Sequence, residues 1–169
     1  MSARKLAGIV DPVLVVDLSR HPTPDTYSMM DIRTAKAEDK DSIRRVYLAA
    51  VGPESRLDEE YCDELIRSEG VIVAEIESHI IGFGGIDVKA REQVKWIYLV
   101  PENQGAGIGS KILERLEEIG WEAGLASLRL HSAAGAVEFY QRHRYREVEA
   151  AGQLGHDHEG VEMMKNHPR

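Results

Sequence analysis

Cysteine is almost absent from this chain, and large aromatic residues and long apolar runs are scarce. Of 169 residues, one is cysteine, and phenylalanine and tryptophan occur twice each. The single cysteine, Cys62, cannot form a disulfide within the chain, which favours a reducing, cytoplasmic setting. Because Cys62 falls in an apolar helical pattern, we expect it to pack as a small hydrophobic side chain rather than to act as a nucleophile.

No part of the sequence is apolar over the roughly 20 residues that a membrane-spanning helix needs. The most apolar segment, residues 6–18, is interrupted by Asp11, Pro12 and Asp17. No small-residue cleavage site follows it, so it is not typical of a signal peptide. We expect residues 1–28 to be an N-terminal arm or appendage and residues 29–169 to form one domain.

Basic residues are outnumbered by acidic ones, 21 against 29, and the formal net charge is −8. This balance argues against binding to nucleic acid or to anionic membranes, which requires clustered lysine and arginine. It is compatible with a cationic substrate such as an amine. The pair His156 and His158 is an incomplete ligand set in a polar loop, so we predict no metal site.

Apolar periodicity predicts seven strands and four helices. The predicted strands are residues 31–35, 71–76, 80–88, 94–100, 127–131, 145–150 and 161–165. The predicted helices cover about 38–50, 57–68, 107–123 and 134–143. Helices alternate with strands in the second half and a hairpin fills the first half, so we predict an α/β fold, a mixed sheet with helices on both faces.

A glycine-rich segment, QGAGIGS at residues 104–110, follows a predicted strand and precedes a predicted helix. Glycines let backbone N–H groups approach phosphate oxygens, and a helix N-terminus attracts negative charge. The order Gly109-Ser110-Lys111 is wrong for a P-loop, and the glycine spacing is wrong for a Rossmann fingerprint. The segment fits the pattern Q/R-x-x-G-x-G/A, and we predict that it holds a pyrophosphate.

Residues from about 32 to 165 resemble the GNAT superfamily of N-acetyltransferases. The resemblance is carried by IYLVPENQGAGIG at 97–109 and by AVEFYQRHRY at 136–145. It implies a central, mostly antiparallel sheet of about six to seven strands, in which two neighbouring parallel strands splay apart to admit acetyl-CoA. The cofactor-binding residues that the resemblance implies are Ile97, Tyr98, Leu99, Gln104, Gly105, Ala106, Gly107, Ile108, Gly109 and Ser110.

The resemblance also implies direct attack of an amine on the acetyl group, without an acyl-enzyme. Tyr140 matches the position of the general acid that protonates the departing thiolate. The general base is not fixed by any motif; His131, at the end of a predicted strand near the splay, is the first candidate, and Asp87 and Glu92 are weaker ones. Tyr98 is a further candidate for substrate contact.

Two positions depart from the family pattern. Ala133 stands where many relatives have asparagine or serine, so a polar contact is missing or supplied elsewhere. Arg144 stands where relatives have glycine, and arginine is strained there if the position needs a positive φ.

We expect the acceptor to be a primary amine, with a small molecule favoured because the core shows no obvious peptide-docking insertion. Two alternatives stay open: a protein or peptide N-acetyltransferase, and a non-catalytic acyl-CoA sensor. A homodimer is a further expectation from the resemblance.

Overall fold

A seven-stranded sheet forms the centre of the protein, in a computed structural model that describes residues 28–148 and 160–168. The strands are β1 Asp31–Thr34, β2 Val71–Ile76, β3 His79–Ile86, β4 Val94–Leu99, β5 Ser127–Ser132, β6 Arg146–Glu147 and β7 Val161–Asn166. The helices are α1 Lys40–Val51, α2 Glu59–Arg67, α3 Ile108–Glu122 and α4 Val137–Arg142. Three single 3-10 turns occur at Ala37–Asp39, Pro101–Asn103 and Ala134–Ala136.

The strand order across the sheet is β1-β2-β3-β4-β5-β7-β6. Every neighbouring pair is antiparallel except β4 and β5, which run parallel. The predicted fold class is therefore confirmed, and so is the predicted parallel pair. The predicted arm, apart from residue 28, and the pair His156 and His158 lie outside the described residues. Within the described ranges, no helix combines the length and apolar character needed to cross a membrane.

Helices cover both faces of the sheet, and β2 shows how one strand serves two cores. Val71 and Val73 point to one face, where they pack with buried side chains of α1 and α2. Ile72 and Ala74 point to the other face and pack against α3. Because successive side chains of a strand alternate between faces, a fully apolar run is required wherever both faces are covered.

The β2–β3 hairpin turns on two residues that are not glycine. Glu77 and Ser78 have φ values of 48° and 66°, the backbone of a type I′ turn, which suits the twist of the flanking strands. The tight turn was predicted here although the usual Asn-Gly signal is missing. Glycine is instead required in the next strand. A Cβ at Gly84 would lie 2.5 Å from the Ile112 Cγ2 of α3, so α3 can approach β3 closely only because this residue has no side chain.

A buried ion pair joins α3 to β7. Glu117 lies on the inner face of α3, which the sequence pattern had assigned to apolar residues, and its Oε2 accepts a hydrogen bond of 2.6 Å from Lys165 Nζ. The pKa of the neighbouring Tyr145 hydroxyl is raised, first by burial and then by the charge of Glu117. Removing one partner of such a pair typically costs about 3–5 kcal/mol because the other charge is left without compensation, so neither residue can be replaced alone without loss of stability.

Candidate functional site

The opening between β4 and β5 is the main irregularity of the sheet. These strands are paired only at Val94 and Leu130, although β4 continues to Leu99 and β5 to Ser132. Beyond the single pairing the two strands diverge. One edge of β4 is therefore left without a neighbouring strand in the middle of the sheet.

The backbone of β4 presents two residues to this opening. Val100 donates its N–H to the Ile81 carbonyl of β3 at 3.0 Å. Backbone groups of an antiparallel strand alternate between its two edges. The backbone N–H and C=O of Tyr98, two residues earlier, are therefore also directed to β3. The N–H and C=O groups of Ile97 and Leu99 point the other way, into the opening. They offer the hydrogen bonds that an added strand or an extended ligand would take.

The glycine-rich segment closes one end of the opening. Gly105 and Gly107 both have φ of 80°, a left-handed conformation that side chains with a Cβ rarely adopt. Gly107 is the N-cap of α3, and nothing lies within 4 Å of where its Cβ would be. The first N–H groups of α3 have no partners within the helix. Bare backbone donors at a helix N-terminus form a site for an anion.

A cleft of about 480 Å³ runs between this segment, β4 and α4. Its lining is Ile97, Leu99, Gln104, Gly105, Gly107, Gly109, Ser110, Gly135, Ala136, Phe139, Tyr140 and Arg142. None of these residues is acidic, and Arg142 alone is charged, in a chain whose net charge is −8. The cleft thus differs in charge from the protein as a whole and favours an anionic ligand.

The structure brings most of the predicted binding residues to this cleft and leaves three outside it. Ile97, Leu99, Gln104, Gly105, Gly107, Gly109 and Ser110 line the cleft. Tyr98 packs on the opposite face, with its ring 5.2 Å from Tyr47 and 5.5 Å from Phe83. Ala106 is exposed, and Ile108 is only 1% exposed because its side chain fills the core under α3.

Tyr140, the predicted general acid, lies in the wall of the cleft. It shares this wall with Phe139, whose ring centroid is 5.0 Å away. Burial raises the pKa of Tyr140 to about 12, and the nearby Tyr98 adds to the effect. The phenol therefore keeps its proton throughout the neutral and mildly alkaline range, as a proton donor must.

His131, the predicted general base, does not line the cleft. Leu128 and Leu130 of β5 are buried in the core beneath α3, so by alternation His131 points to the opposite face. It is exposed, and a Cβ on Gly160 would come within 2.5 Å of its Nε2. His131 therefore lies on the face of the sheet opposite the cleft. A reactant that approached the opening from that face would meet a ligand held in the cleft.

The two weaker candidates for the base lie at the far end of the sheet. Ile86, just before Asp87, pairs with Val94 at the start of β4, whereas the glycine-rich segment follows the end of β4. Burial acts to raise the pKa of Asp87, but hydrogen bonds from the Tyr61 hydroxyl and the Lys89 amide outweigh it and hold that pKa below its usual value. Glu92 is in the same loop, so the structure does not bring either carboxylate to the cleft.

Several residues of the site had not been assigned a role from the sequence. Phe139 and Arg142 contribute to the wall formed by α4. His143 follows α4, and its Nε2 lies 2.8 Å from the Ser110 hydroxyl in the first turn of α3. The motif around Tyr140 includes Phe139 and could have indicated it, but no sequence signal joins Ser110 to a residue 33 positions later.

The single cysteine is remote from the cleft. Cys62 is 2% exposed and packs between α1 and α2, on the face of the sheet opposite α3. Burial, followed by the charge of Asp63, raises the pKa of its thiol to about 11. A thiol that is buried and protonated is inert, so the expected packing role is confirmed.

Arg144 adopts the strained conformation anticipated for its position, with φ of 68°. Its N–H bonds to the Gln141 carbonyl, and the Tyr145 N–H bonds to the Tyr140 carbonyl. This is the Schellman pattern, whose left-handed residue is usually glycine. The cap fixes the end of α4 one turn after Tyr140. The strained residue is therefore part of the turn that positions this wall of the cleft.

Comparison with known proteins identifies relatives of this architecture. Residues 67–147 match the acetyltransferase (GNAT) domain family. Ard1 from Thermoplasma volcanium superposes with a TM-score of 0.69 at 15% identity, over 83% of this chain and 99% of that one. PaiA N-acetyltransferase from Thermoplasma acidophilum, solved in complex with coenzyme A, gives 0.60 at 20% identity, over 82% and 99%. An N-acetyltransferase from Staphylococcus aureus Mu50 gives 0.64 at 17%, over 81% and 98%. A comparison with curated protein sequences found no significant match.

The strain at Arg144 predicts a stabilising substitution. A left-handed residue with a Cβ costs about 1–2 kcal/mol, and glycine recovers most of this at the price of a more flexible unfolded chain. We expect Arg144→Gly to raise the free energy of unfolding by about 1 kcal/mol, as measured by urea denaturation. Arg144→Ala keeps the strain and is the matched control. If the glycine variant were no more stable than the alanine variant, the strain would not be real.

Proposed function

We propose that this chain, whose residues 67–147 match the acetyltransferase (GNAT) domain family, moves an acetyl group from acetyl-CoA to the nitrogen of a primary amine. The single observation that carries the proposal is the cleft at the β4–β5 opening. It combines unpaired strand backbone, a left-handed glycine loop at a helix N-terminus and a protonated tyrosine. These are three different requirements of one thioester cofactor, and they occur side by side.

The residues present fit acetyl-CoA. The amides of Ile97 and Leu99 suit the extended pantetheine arm, which pairs with backbone as an extra strand does. The segment from Gln104 to Ser110 suits the pyrophosphate, since the space before Gly105 and Gly107 is open. The absence of carboxylates in the lining of the cleft removes a source of repulsion toward phosphate.

Acetyl-CoA, when bound, supplies an acetyl group activated as a thioester. We propose that a β4 amide facing the opening donates a hydrogen bond to the thioester carbonyl, where negative charge develops during attack. A preorganised donor of this kind typically contributes about 10²–10³ in rate. Ile97 and Leu99 are the residues whose amides face that way.

Tyr140 is the proposed general acid. As the amine nitrogen forms its bond to the acetyl carbon and the carbon–sulfur bond breaks, the Tyr140 hydroxyl gives its proton to the sulfur, and solvent returns one to the phenolate. His131 is the proposed acceptor of the proton that the amine loses, directly or through water, from the acceptor side of the opening. The bonds and protons then balance without an acyl-enzyme, in keeping with the remote position of Cys62.

A small molecule is the favoured acceptor. On the face that carries His131, the described connections are short: residues 52–58 join α1 to α2, and residues 87–93 join β3 to β4. Neither contains a helix or strand of its own against which a peptide could lie. The acidic start of α2 gives little additional support, because Asp58 caps the helix, Glu59 pairs with Arg44 and Asp63 pairs with Lys40.

The test is the release of coenzyme A from acetyl-CoA in the presence of polyamines, amino acids, aminoglycosides or basic peptides. We expect one class of small primary amine to raise release well above the hydrolysis background. If only basic peptides raised the release of coenzyme A, the acceptor would be a peptide and not a small molecule. Tight binding of acetyl-CoA without release by any amine would indicate a sensor, and no binding at all would overturn the assignment of the cleft.

Removing the Tyr140 hydroxyl tests the proposed acid. We expect Tyr140→Phe to lower kcat by about 10²-fold, the lower range for general acid catalysis, and to leave acetyl-CoA affinity unchanged. Because the pKa of Tyr140 is raised to about 12, the wild-type kcat should not decline between pH 8 and pH 10 through loss of its proton. Tyr61→Phe removes a hydroxyl at the far end of the sheet and is the control; equal effects of the two variants would contradict the role of Tyr140.

Replacing His131 tests the proposed proton acceptor. If it accepts the amine proton, His131→Gln should lower kcat/KM by about 10²-fold, the lower range for general base catalysis. An unchanged kcat/KM in this variant would assign the proton to water alone.

A further inference from the structure

We propose that Arg142 binds the 3′-phosphate on the ribose of coenzyme A, and so selects the cofactor by that group; the inference rests on the proposed function. Arg142 is the charged residue in the lining of the cleft. A planar guanidinium matches a phosphate with two parallel hydrogen bonds, which a lysine does not provide.

The charge of Arg142 is not used within the part of the chain that the structure describes. Glu138 lies one helical turn before it on α4, yet no ion pair within 4.0 Å joins them. The nearby Glu147 instead accepts a hydrogen bond of 3.4 Å from the Gln141 side chain. An arginine that lines a ligand cleft without a carboxylate partner is available to an anion.

The position of Arg142 separates it from the pyrophosphate. The pyrophosphate is assigned to backbone donors of the loop and to the first turn of α3, on one wall of the cleft. Arg142 is on the α4 wall and is exposed, whereas Tyr140 on the same helix is partly buried. Arg142 therefore lies at the solvent-exposed rim of the cleft, away from the part where the thioester would meet Tyr140.

The two walls are tied together beside Arg142. The His143 Nε2 lies 2.8 Å from the Ser110 hydroxyl, and the Phe139 ring packs 4.8 Å from the His143 ring. This contact fixes the end of α4 relative to the first turn of α3. A ligand that carries one phosphate on each wall gains from the fixed spacing, because less freedom is lost on binding.

The 3′-phosphate is the one group that separates coenzyme A from 3′-dephospho-coenzyme A, so paired titrations of these two ligands by calorimetry test the inference. We expect Arg142→Gln to weaken the binding of coenzyme A by about tenfold and that of 3′-dephospho-coenzyme A by less than twofold. Arg142→Lys keeps the positive charge but not the planar guanidinium, and it should weaken the binding of coenzyme A by an intermediate factor. Equal weakening of both ligands would place Arg142 on the pyrophosphate and overturn the inference.

Two further variants separate this inference from the proposed function. Arg67→Gln removes the corresponding last-turn arginine of α2, on the other face of the sheet, and should leave both affinities unchanged. Gly109→Ala places a methyl group in the cleft 3.6 Å from the Phe139 ring, an ordinary contact that the fold tolerates, and should weaken both ligands alike. If wild-type protein binds both ligands equally and Arg142→Gln changes neither affinity, the role of Arg142 is wrong but the proposed function stands. If wild-type protein binds neither, the proposed function fails with it.

Discussion

The incomplete pairing of β4 and β5 is the constraint on which the rest of the structure depends. A parallel pair in the interior of a sheet normally satisfies its backbone groups along its whole length. Here one pairing at Val94 and Leu130 is followed by divergence, and the amides of Ile97 and Leu99 are left facing an opening. Such an edge is costly unless solvent or a ligand satisfies it. The sheet thus has an unpaired strand edge with which an extended, hydrogen-bonding molecule can pair.

The helices α3 and α4 form the walls of the opening. On one face, α3 begins at the glycine-rich loop and is held down by the close approach of Gly84 and by the buried pair of Glu117 and Lys165. Its N-terminus lies at the opening, where Gly107, Gly109 and Ser110 line the cleft. The last turn of α4 is fixed by a cap that puts strain on Arg144. Rigid walls of this kind preorganise donors before a ligand arrives, which is where electrostatic catalysis gains its advantage.

The opposite face has a different task. Tyr98 shows the division within a single strand: its neighbours in β4 face the cleft, whereas its own ring packs against Tyr47 and Phe83. His131 is on this same side of β5. The opening therefore lies between the face that carries the cleft and the face that carries His131.

The sequence was sufficient to predict the architecture, because strand and helix periodicities were strong and the glycine-rich loop falls where a strand becomes a helix. The pattern left open whether Arg144 would adopt a positive φ, and the structure shows that it does. The sequence was insufficient wherever the outcome depends on side-chain direction. Tyr98 and Ile108 were grouped with the binding residues as members of the strand and loop whose backbone faces the ligand, and the sequence did not show that both side chains pack in the core. The buried Glu117 and the contact between Ser110 and His143 depend on partners distant in sequence, which no local pattern specifies.

Amide hydrogen exchange of β4, followed by nuclear magnetic resonance with and without saturating acetyl-CoA, tests the central claim most directly. The measurement should be made where local opening, not global unfolding, governs exchange. We expect the Ile97 and Leu99 amides to exchange at least about tenfold more slowly in the complex, since each gains a partner or loses access to water. The Tyr98 amide, already directed to β3, should change little. Slowing at Tyr98 without slowing at Ile97 and Leu99, or no change at any of the three, would contradict the account of the opening as the cofactor site.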